Sequence, residues 1–173
     1  MFPEIIIGSE STIENVFGGN NFMLQRIIQT PDDFTLTLLR VVLGLTISAH
    51  AAQKVFGWFG GSGFSATVDV FGGLGIPAPL AVVAIIVETA SCLGLVTGLF
   101  SRLSGLGIIS IMIGAIVFLV GPNGYFMNWF GQMGAGMEGY EYHLLAIAMA
   151  LTIVIRGGGA LSIDRVLSEK SSS

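Results

Sequence analysis

An all-α, transmembrane four-helix bundle is the fold class this sequence predicts, and three observations predict it. Only 10% of the 173 residues are charged while 53% are hydrophobic, against about 25% charged in an ordinary soluble domain. The apolar residues gather into four runs, most of them near the ~20 residues that crossing a bilayer requires. The basic residues gather at one end of those runs: Arg26, Arg40, Arg102, Arg156, Arg165 and Lys170, against Lys54 alone at the other. By the positive-inside rule both termini are expected in the cytoplasm, with two long Gly/aromatic-rich loops outside. Backbone groups in lipid need internal partners, so each run is expected to be helical.

Residues 1–33 read as an N-terminal extension, 34–167 as the four-helix membrane domain and 168–173 as a polar tail. The extension does not resemble a secretory signal, because its first basic residue is Arg26 and the Ile5-Ile6-Ile7 run is too short. Ser11-x-x-Glu14 has the spacing of a capping box, and Phe22-Met23-Leu24 with Ile27-Ile28 forms an amphipathic patch suited to a membrane interface. A partly ordered extension accounts for the same residues.

Asp32 or Asp33 then caps a first span from Phe34 to Gln53. The glycine-rich stretch from Gly57 to Gly75 reads as a long loop, and Pro79 suits the first turn of the second span, Leu80 to Phe100. A tight turn at Ser101-Arg102 makes the second and third spans antiparallel neighbours, the third running from Leu103 to Val120. Gly121-Pro122 opens a second loop that lasts to Gly139. The fourth and shortest span is Tyr140 to Ile155, and Ser162 to Leu167 reads as a short surface helix. Small residues at Gly44-x-x-x-Ser48-x-x-x-Ala52 and Gly94-x-x-x-Gly98 fit close helix approach.

Ionisable groups at membrane depth cost several kcal/mol and so mark candidate sites. Glu88 is the sharpest, roughly 13 Å inside the second span. It is expected either to relay protons or hold a polar headgroup, or to form an ion pair with Arg40 that fixes helix register. His50 and Lys54 are four apart on one helix face, with Gln53 beside them. An imidazole there is placed to exchange protons with a quinol hydroxyl; an interfacial histidine beside a snorkelling lysine is the plainer reading. Asn123 and Glu141 complete the candidate ligand-binding or core polar set with Arg40, Gln53 and Lys54.

Glu141 and His143 are two apart and lack the Glu-x-x-His spacing of di-iron bundles, and two histidines make a metal site a poor fit. Cys92 is the chain's one cysteine, so no internal disulfide or C-x-x-C pair can form. No basic patch suggests nucleic acid, and no flavin or haem motif is present. Aromatics such as Phe56, Trp58, Phe59, Trp129 and Phe130 crowd the loops among glycines, which predicts loops folded over the bundle mouth around an apolar ligand.

The ordered set Arg40, His50-x-x-Gln53-Lys54-x-Phe56-Gly57, Gly60-Gly61-x-Gly63, Gly75-x-Pro77, Glu88, Arg102, Asn123-Gly124 and Glu141-Tyr142 resembles the DoxX family of small membrane proteins. The terminal Gly-Gly with Ser162 and Asp164 fits as well, so the resemblance runs over roughly residues 36–167. It implies a bacterial cytoplasmic-membrane protein among membrane oxidoreductase components and accessory proteins, the family name deriving from thiosulfate:quinone oxidoreduction. The expectation is a quinone-linked oxidoreductase component with Glu88 and His50 handling protons, a bound quinone, and electrons from a partner subunit. A non-catalytic assembly subunit and a small proton-coupled transporter are the alternatives, and a homo-oligomer is the alternative to a protein partner.

Overall fold

The computed structural model describes residues 25–132, 134 and 136–170. The expected capping box at Ser11 and Glu14, and Phe22-Met23-Leu24, lie outside the described residues. All regular structure among the described residues is helical. Residues 25–28 make one helical turn with Ile28 buried beneath it.

Helix α1 runs Phe34–Phe56, and the Asp33 carboxylate caps it by accepting from Thr35 N (2.8 Å) and Leu36 N (3.3 Å). It continues one turn past the expected Gln53 because the Lys54 charge finds a partner rather than ending the apolar run. The expected loop between Gly57 and Gly75 is instead a 3₁₀ turn followed by helix α2, Gly63–Gly73. Phe64, Thr67, Val68 and Phe71 recur at helical spacing there, a period that the surrounding glycines conceal.

Helix α3 is Ala78–Thr97, with Pro79 in its first turn. It ends at Gly98 (φ +74°), where a Cβ would come within 2.6 Å of Ser162 Cβ, so glycine is needed for conformation and for space. The reversal therefore occupies residues 98–100, and Ser101 already belongs to helix α4, Ser101–Ala115. That helix widens into a π turn, Ile116–Val120, and closes with a 3₁₀ turn, Gly121–Asn123. Helix α5 is Glu141–Arg156 and helix α6 is Ile163–Lys170.

Helix α1 packs on α3, α3 on α4, α4 on α5, and α5 returns to α1. Leu43, Ile47, Leu95, Ile108, Ala150 and Ile153 fill the centre. Gly44 brings α1 against α3, where a Cβ would meet Leu95 Cβ at 3.0 Å. Among the described residues three helical stretches are long and apolar enough to cross a membrane: Phe34–Phe56, Ala78–Thr97 and Ser101–Asn123. With 16 residues α5 is about 24 Å long, shorter than the ~30 Å hydrocarbon core, so it falls below the length the other three reach.

The start of α1 and the end of α5 meet at one end of the bundle, joined by Asp33–Arg156 at 3.7 Å. The chain then straps across that terminal end, where Arg165 pairs with Asp32. Beneath the strap Asp164 is 1% exposed and accepts from Phe100 N (2.7 Å) and Ser101 N (2.8 Å), which caps α4 from 63 residues away.

Candidate functional site

The site is built on Glu88, the eleventh residue of α3, whose carboxylate is 3% exposed. Lys54, in the last turn of α1, reaches it through a four-carbon stem and donates to Oε1 at 2.7 Å and Oε2 at 2.5 Å. The lysine is 29% exposed, so the pair has one buried and one half-buried partner. Arg40 does not contact Glu88. Its guanidinium, 1% exposed, serves the terminal end, donating to Gly158 O (2.9 Å), Leu161 O (2.7 Å), Val96 O (3.0 Å) and Leu95 O. The carbonyls that end α3 form the negative pole of that helix, which is where a fixed cation is most useful. The expected Arg40–Glu88 pair is thus replaced by two separate arrangements, Arg40 at the terminal end and Glu88 at the middle of α3.

The Lys54–Glu88 pair opens onto an apolar cavity of about 310 Å³ between α3 and α4. Phe71 of α2 and Ile76 cover one side, Val83 and Val87 of α3 form a wall, and Gly114 and Phe118 form the wall opposite. The π turn Ile116–Val120 lies at this wall, a distortion often found where helices make room for function. The volume is near the lower bound of small-molecule sites, which suits a headgroup whose tail leaves into lipid. The expected pocket under the loops is therefore displaced to the flank of the bundle. Trp58, Phe59, Trp129 and Phe130 are exposed instead, as in an interfacial aromatic belt, and of the helix and loop residues between Phe56 and Ile76 only Phe71 and Ile76 line the cavity.

The DoxX family model matches residues 35–122, just over half of the chain. The chain belongs to the DoxX family. The match takes in α1 to α4 and hence Arg40, His50, Gln53, Lys54, Glu88 and the whole cavity, whereas Glu141 and Asp164 follow it. No curated protein and no solved structure matches the sequence.

In this DoxX chain the other candidate residues stand apart from the cavity. Gln53 Nε2 donates to Phe59 O at 3.2 Å and folds the first loop back on α1. Asn123 Nδ2 donates to Gly136 O (3.3 Å) and Glu138 O (3.0 Å), while Glu141 Oε2 accepts from Met127 N (3.2 Å) and Trp129 Nε1 (3.3 Å). These two side chains organise the second loop. His50 is exposed on α1, its ring centroid 6.0 Å from that of Tyr142 on α5. Among the described residues no three of His, Cys, Asp and Glu are grouped to hold a metal.

Sequence reasoning singled out Glu88 and Lys54 but missed the cavity that joins them. Ala84, Gly114 and Ala115 line it, and only the register of α3 on α4 brings those small residues together.

Proposed function

We propose that this DoxX protein holds a quinone in the α3–α4 cavity as the quinone-linked component of a bacterial cytoplasmic-membrane oxidoreductase, with its electron donor on a partner subunit. The observation that carries the reading is a buried acid–base pair at the end of an otherwise apolar cavity. A ligand there needs an apolar body and a polar edge that both donates and accepts protons, and a quinone–quinol couple has both. The basic terminal end supports cytoplasmic termini, with α5 as a short fourth span accommodated by local thinning of the bilayer.

Lys54 Nζ is placed to donate a hydrogen bond to a ligand oxygen, and Glu88 to accept a hydroxyl proton and return it. The apolar walls exclude water, so both interactions act in a low dielectric. A quinone bound there would supply a two-electron, two-proton couple; Lys54 would hold its oxygen and Glu88 would hand it protons, with the electrons from the partner.

The test is a short-chain benzoquinone added to detergent-purified protein, with lipid extraction of the native preparation beside it. Wild type is expected to carry quinone and to gain thermal stability from the probe. A Cβ on Gly114 meets nothing within 4 Å, so Gly114→Leu fills the cavity without displacing a helix and is expected to abolish that gain. A quinone-free native preparation with no stabilisation by the probe would sink the reading. Undiminished binding in Glu88→Gln would overturn the residue assignment alone.

A second reading, a non-catalytic assembly subunit, draws on the exposed aromatics of the loop end, where Trp129 is 73% and Phe130 89% exposed. It predicts a co-purifying membrane protein without quinone, released by alanine at those two positions.

A further inference from the structure

Two buried polar atoms on adjacent residues of α5 lack a partner: the Tyr142 hydroxyl oxygen and His143 Nδ1. About 90% or more of such buried groups are hydrogen-bonded, and where protein supplies no partner an ordered water does. Both residues lie in the first turn of α5, beside α1. The Tyr142 ring centroid is 5.5 Å from that of His143 and 6.0 Å from that of His50. Tyr142 also packs against the central apolar cluster, where Glu88 lies within electrostatic reach of it. Lys54 and His50 are likewise within reach of His143.

The ion pair therefore has two unlike sides. Toward α3 and α4 stands an apolar cavity that offers water little. Toward α5 stand a phenol and two imidazoles, the second of them exposed on α1. Cys92, which also senses the pair, is buried and shares a hydrogen bond with Ser48, so it offers no path to the surface.

We propose that Tyr142 and His143 hold an ordered water that connects the Lys54–Glu88 pair to His50, giving protons a route in through the α1–α5 face. The inference rests on the reading that Glu88 exchanges protons with a ligand in the cavity. His50 takes a proton at the surface, His143 accepts it at Nε2 and releases one from Nδ1 to the water, and the water passes it to the Glu88 carboxylate, which hands it to the ligand. Each step moves one proton; no electron moves and no bond between heavier atoms changes. The Tyr142 hydroxyl is a positioning group that fixes the water between carboxylate and imidazole.

The chain has two histidines, so histidine labelled with ¹⁵N gives two imidazoles to observe by solid-state NMR of the full chain in bilayers. His50→Gln assigns them. In the wild type, magnetisation is expected to pass from water to His143 Nδ1, and Tyr142→Phe is expected to abolish that transfer while the melting temperature holds. A His143 that receives nothing from water in the wild type overturns the proposal, and so does transfer that survives Tyr142→Phe. Should that variant fail to fold, the wild-type spectrum decides alone. No quinone is added, so failure here leaves the ligand reading standing, and a protein that binds no quinone can still show the water.

Discussion

Removing either partner of the Lys54–Glu88 pair is expected to cost unequal amounts, and the asymmetry follows from exposure. The Glu88 side chain is 3% exposed and that of Lys54 29%. In Lys54→Met the carboxylate stays buried with no cation. Stranding one member of a buried pair costs about 3–5 kcal/mol, and water reaching the lysine side of this one sets the expectation at the lower end, about 3 kcal/mol. In Glu88→Gln the ammonium can swing on its stem toward the loop end, and the amide keeps the shape, so the loss is about 1 kcal/mol. For a chain of this size each kcal/mol corresponds to about 2–4 °C in Tm, so Lys54→Met falls by about 6–12 °C and Glu88→Gln by about 2–4 °C. The double variant strands no charge and is expected to melt above Lys54→Met alone. Thermal unfolding in mild detergent at neutral pH, followed by helical circular dichroism, reads all three. Equal losses or the reverse order would refute the argument from exposure, and a double variant equal to the sum would refute the pair itself.

Further expectations concern the terminal end. Arg40→Ala leaves the carbonyls of Leu95, Val96, Gly158 and Leu161 without their shared donor and is expected to cost at least about 4 kcal/mol, read as lost folded yield, with Arg40→Lys intermediate. Asp164→Ala removes the cap from α4 at about 1–2 kcal/mol, and combining it with Arg40→Ala is expected to cost less than the sum, since the two charges sense each other. The Arg165 hydrogen bond holds the Asp32 carboxyl below its ordinary 3.8. A depressed folded value means that this contact contributes above pH 3.8 and is lost as pH falls through the folded value. A ¹³C titration of Asp32 is expected to show a midpoint below 3.8 that returns to it in Arg165→Ala; a wild-type midpoint at or above 3.8 contradicts the contact.

What could be read from the sequence was local. The apolar runs became helices, three of them long and apolar enough to cross a membrane, because period and length are properties of a single segment. The cap was narrowed to Asp32 or Asp33, and Asp33 is the one, because a cap lies next to its helix. Glu88 stood out because a carboxylate in an apolar run is conspicuous wherever it points. Its partner was not legible: choosing Lys54 over Arg40 depends on how far α1 slides along α3, which no residue in either helix states alone. Helix α2 was hidden by glycines whose low propensity is offset by contacts with α1 and α3. The role of Asp164 was hidden by distance, since capping signals are sought within a few residues and this one comes from the far end of the chain.

That distance bears on how the protein is made. Ribosomes deliver the chain from its N-terminus, so α3 and α4 enter the membrane before residues 158–164 exist. Until then the hairpin between them lacks its Asp164 carboxylate, and Arg40 has the α3 carbonyls but not Gly158 or Leu161. Helices α1, α3 and α4 must wait, inserted yet unlocked, for residues 158–164 to be translated. A nonsense codon shortly before residue 158 would leave all the apolar runs in place and still yield a bundle open at its terminal end. Such a product is a natural substrate for membrane quality-control proteases, whereas an appendage fused after Lys170 leaves the lock intact.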